Sequence, residues 1–170
     1  MKSLLLVFLF VSILPGEPIG RRGSGCGIPP EEPGTPNIFI DPTGTYILKG
    51  ATSKNKVVGH SGEIRIKLLG KDRVAMSFYI NKGYPGYESG SFLDTLLYND
   101  DNEAVYTPAK DPGCAFLFYF SANSAETLQV LSNPESGCGF GKGVMASARF
   151  EKYSGEAPII QDLSARGAAL

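Results

Sequence analysis

From residue 44 onward the chain alternates apolar and polar positions in short runs, and Gly, Pro, Asn and Asp separate the runs. Alternation with a period of two is the signature of a strand with one face inward. The spacing predicts strands over 44–49, 63–69, 73–81, 91–98, 103–107, 114–120, 127–131 and 144–153. In 63–69, Ile64, Ile66 and Leu68 share the inward face while Glu63, Arg65 and Lys67 face water. In 73–81, Val74, Met76, Phe78 and Ile80 line up together. In 114–120, Phe116, Phe118 and Phe120 occupy one face, with Leu117 and Tyr119 on the other; such a strand packs one face inward and has the other covered by a neighbour or loop. Gly70-Lys71-Asp72 and Asn99-Asp100-Asp101-Asn102 have turn composition. No segment carries a helical period. About eight strands at hairpin spacing without crossover helices predict an all-β fold. The architecture expected over residues 43–153 is an antiparallel up-and-down barrel, with a β-sandwich as the alternative. Closure is favoured because an open sheet leaves two unprotected edges.

Outside that region the pattern changes. Met1-Lys2-Ser3 precedes an apolar run from Leu4 to Leu14. This is the layout of a secretory signal peptide, assigned to 1–20, and the run is short of the roughly 20 apolar residues of a membrane span. A Pro/Gly-rich linker follows over 21–37, then the barrel domain over 38–154 and a tail over 155–170 expected to pack poorly. Cys26, behind Gly23-Ser24-Gly25, is a candidate for lipidation, and membrane attachment is expected only through it. The protein is therefore expected to be exported, to the periplasm, the cell surface or the medium. The composition is 42% hydrophobic, enough for a core, and the net charge is −1 with mixed signs. Neither a nucleic-acid surface nor a basic membrane-binding face is indicated. Cys114 and Cys138 are the two cysteines within the domain. In an exported chain they are expected to pair, the alternative being two buried thiols.

Little in the sequence resembles catalytic chemistry. Gly59-His60-Ser61-Gly62-Glu63 approaches the G-x-S-x-G nucleophile turn, but the second glycine falls one place early and a strand pattern follows in place of a helix. His60, the one histidine of the chain, adjoins the serine and cannot return from a distant strand as its base. The expected reading is a turn feeding a strand. Gly139-Phe140-Gly141-Lys142-Gly143 lacks phosphate-loop spacing and is read as a bulge or tight corner entering the last strand. Asp100, Asp101 and Glu103 lack the glycine of a calcium loop. One histidine and the cysteine spacing do not make a zinc site. No metal, no cofactor and no enzymatic activity are expected. The segment 83–90 is the most suggestive loop. Tyr84 and Tyr87 on a Gly/Pro frame, with Ser89, offer large contact area at modest entropic cost, as protein-binding loops do.

The stretch Cys114-Ala115-Phe116-Leu117-Phe118-Tyr119-Phe120, then Thr127 to Val130, Cys138-Gly139-Phe140-Gly141, Val144 and Tyr153 resembles small exported bacterial proteins of lysozyme-inhibitor-like, calycin-like barrel type. The specific overlap covers about forty residues. The resemblance implies an envelope protein with the two cysteines bridged. Inhibitor barrels of this type carry an S-G-x-x-Y loop, and neither Ser61-Gly62 nor Ser89-Gly90 is followed by tyrosine at that spacing, so no inhibitory residue is carried across. The function expected is a non-enzymatic binding module whose partner is a protein of the cell envelope or an extracellular enzyme. The alternatives are a carrier of a small apolar ligand inside the barrel and a structural surface domain.

Overall fold

The computed structural model describes residues 38–132 and 137–161. The expectations for the leader, the linker, Cys26 and the chain beyond 161 lie outside the described residues. Among the described residues nine strands form one antiparallel sheet: β1 (Gly44–Leu48), β2 (Ala51–Ser53), β3 (Lys56–Leu68), β4 (Arg73–Gly83), β5 (Ser89–Leu97), β6 (Glu103–Tyr106), β7 (Cys114–Phe120), β8 (Ser124–Leu131) and β9 (Ala148–Ser154). The hydrogen-bonded order is β5-β4-β3-β1-β9-β8-β7-β6, with β2 paired to β3 alone. Eight strands thus go round a nearly closed up-and-down barrel. The last seam, between β5 and β6, is joined by a single antiparallel bridge at Tyr98–Ala104.

The alternation read from the sequence places the core. Ile64, Ile66, Val74, Met76, Phe78, Ile80, Phe116, Phe118 and Phe150 are fully buried inside the barrel. Phe78 is the hub. Its ring lies 5.3 Å from Phe92, 5.6 Å from Phe118, 5.9 Å from Phe150 and 6.1 Å from Phe140, measured between centroids. Both ends of the barrel are stopped. At one end, Asn102 accepts from the Ile40 N–H at 2.7 Å and donates to the Ile38 carbonyl at 3.0 Å. The buried Tyr46 hydroxyl donates to Pro42 O at 2.9 Å, and the Tyr98 hydroxyl donates to Ile40 O at 2.8 Å. At the other end Phe140 stacks on Phe116 at 4.9 Å and fills the space over Gly90, where any Cβ would collide with its ring.

The Cys114–Cys138 disulfide, with Cα atoms 5.5 Å apart, ties that Phe140 loop to the start of β7. It spans the open seam: the Gly141 N–H donates to Ser89 O on β5 at 3.0 Å, while Cys114 belongs to the β6 side.

Several boundaries differ from the expected ones, each for a local reason. The turn expected around Gly59–Gly62 lies instead at Lys54 and Asn55, both with positive φ, and residues 59–62 run within β3. A short strand, β2, pairs there and was not anticipated. β8 starts three residues before 127. β9 begins at Ala148, four residues after Val144. Residues 144–147 run beside β8 but are held by side chains, not by a ladder. The Gln129 side chain accepts from Ala146 N–H at 2.9 Å, Ser147 Oγ accepts from Gln129 N–H at 2.9 Å, and Thr127 Oγ1 accepts from Ala148 N–H at 3.0 Å while donating to Ala146 O. Glu63 and Arg65 do turn outward, yet only 18% and 12% of their side chains are exposed; they pair with each other at 2.6 Å. The chain after β9 returns to this face, where Arg65 Nη1 donates to Ile159 O at 3.5 Å and Pro158, Ile160 and Gln161 are half-buried. The first residues of the tail thus meet the barrel at these points, while Gly155, Glu156, Ala157 and Ile159 are exposed. The outer face of β7 is less covered than expected, with Tyr119 exposed and Leu117 half-buried.

Two outcomes follow. Phe78→Ala removes the ring that five others touch and is expected to cost about 3–5 kcal/mol in urea unfolding. Replacing Cys114 and Cys138 together by Ser is expected to cost roughly 3.5 kcal/mol through freed loop entropy in the unfolded chain. The same double variant should lose hydrogen-exchange protection first at Gly141 and along β5.

Candidate functional site

The loop between β4 and β5 projects from the disulfide end of the barrel. Its base is fixed by Asn81, the buried residue of β4 that ends the regular ladder at Asn81↔Ser89. The Asn81 side chain accepts from the Gly83 N–H at 2.6 Å and donates to Tyr87 O at 2.7 Å, so one amide holds both feet of the loop. Tyr87 N–H donates to Gly83 O at 2.8 Å, closing the turn, and Tyr87 takes a positive φ. Gly83 lies so close to β3 that a Cβ would stand 2.6 Å from Gly59 O and 2.8 Å from Val57 O, and its φ of 74° suits only glycine without strain. That close approach lets Tyr84 N–H reach Val57 O at 2.8 Å.

On this base Tyr84 and Tyr87 stand edge to face, ring centroids 6.2 Å apart, with 46% and 49% of each residue exposed. Lys56 Nζ lies 4.0 Å from the Tyr84 ring centroid, a cation–π contact. Lys82 forms an ion pair with Glu88 and also donates to Lys142 O at 2.7 Å, which joins the loop to the Phe140 segment. The hydrogen bond from Lys82 holds the Glu88 carboxyl below its ordinary value, and the nearby Lys142 charge acts in the same direction. Lys54, Lys56 and Lys142 have no carboxylate partner among the described residues.

Of the residues singled out in the sequence, Tyr84 and Tyr87 meet each other. Ser89 does not join them: it heads β5, and its carbonyl serves the Phe140 loop. Sequence reasoning missed Asn81, although an Asn two residues before a Gly in a turn is a familiar loop-bracing signal. It also missed Lys56 and Lys142, which come from distant segments and leave no local trace.

The serine–histidine pair does not come together. His60 and Ser61 are consecutive residues of β3, and consecutive strand side chains point to opposite faces. His60 Nε2 accepts from Met145 N–H at 3.1 Å, and no hydrogen bond joins it to Ser61. The turn at Asn99–Asn102 is formed by Asn99, whose side-chain oxygen accepts from Asp101 N–H at 3.1 Å and Glu103 N–H at 2.8 Å. Among the described residues no group of three or more His, Cys, Asp or Glu side chains is placed to hold a metal ion.

Asn81→Ala leaves the Gly83 amide and the Tyr87 carbonyl without partners. The expected cost is about 1–3 kcal/mol in chemical denaturation, with loss of the close Tyr84–Tyr87 ring contact in nuclear Overhauser spectra and an otherwise native amide spectrum.

Compared with family models, curated proteins and solved structures, the chain shows a significant match to none.

Proposed function

We propose that this protein is an exported, non-enzymatic binding module that grips a protein partner with the Tyr84–Tyr87 loop. The observation that carries the reading is a pair of half-exposed tyrosines on a loop braced from below by Asn81. Ordering a mobile loop on binding costs free energy, and a pre-set loop avoids most of that cost. Aromatic side chains of this kind are the commonest anchors of protein interfaces. The reading of a barrel carrying a small apolar ligand finds less support. The interior is occupied by Phe78, Phe92, Phe116, Phe118 and Phe150, and Phe140 and the 38–42 segment stop the two ends. The resemblance to lysozyme-inhibitor-like envelope proteins makes a wall-degrading enzyme the first partner to test.

The test is a pull-down from envelope extract together with a panel of lysozymes. Tyr84→Ala and Tyr87→Ala should each weaken capture by about thirtyfold, the equivalent of roughly 2 kcal/mol for a lost aromatic anchor, with unchanged far-UV circular dichroism. If no lysozyme is retained or inhibited, the inhibitor version fails. If a partner is retained equally by both variants, the tyrosine loop is not the site.

A further inference from the structure

The barrel's open seam is a second surface, distinct from the tyrosine loop. The β4–β5 ladder runs without interruption from Arg73↔Leu97 to Asn81↔Ser89. Just beyond its ends, Tyr98 N–H donates to Asp72 O at 2.8 Å and Glu88 O accepts from Lys82 N–H at 3.0 Å, so the even-numbered residues direct their peptide groups at β4. Direction alternates along an antiparallel strand. The odd-numbered residues Ser91, Leu93, Thr95 and Leu97 therefore direct theirs away, into the seam. Ser89 is matched there by Gly141. Thr95 N–H is taken by the neighbouring Asp94 carboxylate at 2.7 Å. The seam-facing peptide groups of Ser91 and Leu93 have no partner among the described residues, whereas the Leu97 carbonyl is engaged by the bridge at Tyr98–Ala104, which leaves the Leu97 N–H toward the gap. The same alternation on β6, fixed by Phe120 N–H donating to Asn102 O at 2.9 Å, turns Val105 into the seam from the other side.

Between these edges lies a groove of about 770 Å³. Tyr106 lines it and stacks on the buried Phe92, with ring centroids 3.8 Å apart, so the core is sealed beneath an unfilled backbone gap. Leu97 and Val105 are on its rim, 71% and 51% exposed. Three carboxylates, Asp72, Asp94 and Glu103, line it without any Lys or Arg. Among the described residues none of the three is in an ion pair. Lys71 and Arg73 flank Asp72 in sequence, and Arg73 on β4 pairs opposite Leu97. Asp94 belongs by alternation to the inward set of β5, yet it is exposed because the seam opens beside it.

We propose that the β5 edge of this seam is a strand-addition site for an extended segment of a partner protein in which lysine or arginine alternates with apolar residues. Strand addition supplies affinity through the main chain and selectivity through alternate side chains. Apolar residues of the guest cover Leu97 and Val105. Its cations meet Asp72, Asp94 and Glu103, and engaging the Asp94 carboxylate frees the Thr95 amide for the new ladder. A second copy of this chain is the poorer occupant, since pairing two β5 edges brings two Asp94 carboxylates onto one seam.

The probe is a short acetylated peptide of alternating lysine and valine, titrated into the full chain and followed by amide chemical shifts and hydrogen exchange. The expected result is saturable binding that protects the Ser91, Leu93 and Leu97 amides. The same peptide N-methylated on its alternate, seam-facing amides should bind at least about tenfold more weakly, as should a glutamate–valine peptide. Asp94→Lys should weaken the lysine–valine probe similarly, and the milder Asp94→Asn by a few-fold, while Tyr84→Ala should leave it unchanged. Equal binding of the N-methylated probe overturns strand addition. Equal binding of the glutamate–valine peptide overturns the charge assignment. Absence of binding, or self-association through β5 in its place, overturns the proposal as a whole.

Discussion

The structure depends on how an eight-stranded circuit is closed when its last ladder is missing. β5 and β6 are joined at one bridge near the Asn99–Asn102 turn and then splay. Left alone, such an opening would expose the centre of an aromatic core. Three features replace the ladder: the Phe92–Tyr106 stack inside, Phe140 over Gly90 at the mouth, and the disulfide that fixes the Phe140 loop to β7. Burial raises the Tyr106 hydroxyl above its ordinary titration range, and the Asp94 carboxylate adds to this, which shows how close polar and sealed regions stand at the seam. The tyrosine loop is set by the same arrangement, because Lys82 reaches the Phe140 segment and Ser89 pairs with it.

The barrel was legible in the sequence because burial on one face imposes a period of two, and that period survives wherever the ladder is regular. Val74, Met76, Phe78 and Ile80 fall on the inside as the alternation requires, and β7 matches its expected limits of 114 and 120. Legibility failed where hydrogen bonds are not made by the ladder. Residues 144–147 alternate like a strand, with Val144 and Ala146 buried, yet Thr127 and Gln129 hold them. The half-buried state of Glu63 and Arg65 was equally hidden, because a chain returning to an outer face has no periodic signature.

The candidate sites divide in the same way. Two tyrosines among Gly and Pro announce a loop with contact area, and the disulfide was legible from two cysteines within one domain of a chain expected to be exported. The Lys56–Tyr84 contact brings together residues from separate hairpins, so proximity in sequence carries no trace of it. The seam is harder still to see from sequence. β5 and β6 both look like ordinary strands joined by an ordinary Asn/Asp turn, and the gap between them exists only because nothing completes the circuit.

The side-chain clasp at residues 144–147 bears on how this chain can change over evolutionary time. An ordinary ladder is built from peptide groups that every residue except proline supplies, so the sequence beneath it can drift widely without losing the pairing. Here the pairing is encoded in a hydroxyl at Thr127, an amide at Gln129 and a hydroxyl at Ser147. Gln129 and Ser147 lie toward the surface, where substitution is normally tolerated, yet each carries a bond that a backbone would otherwise have made. Drift in this corner of the barrel is therefore constrained by chemical identity, where elsewhere on the surface it is constrained mainly by polarity.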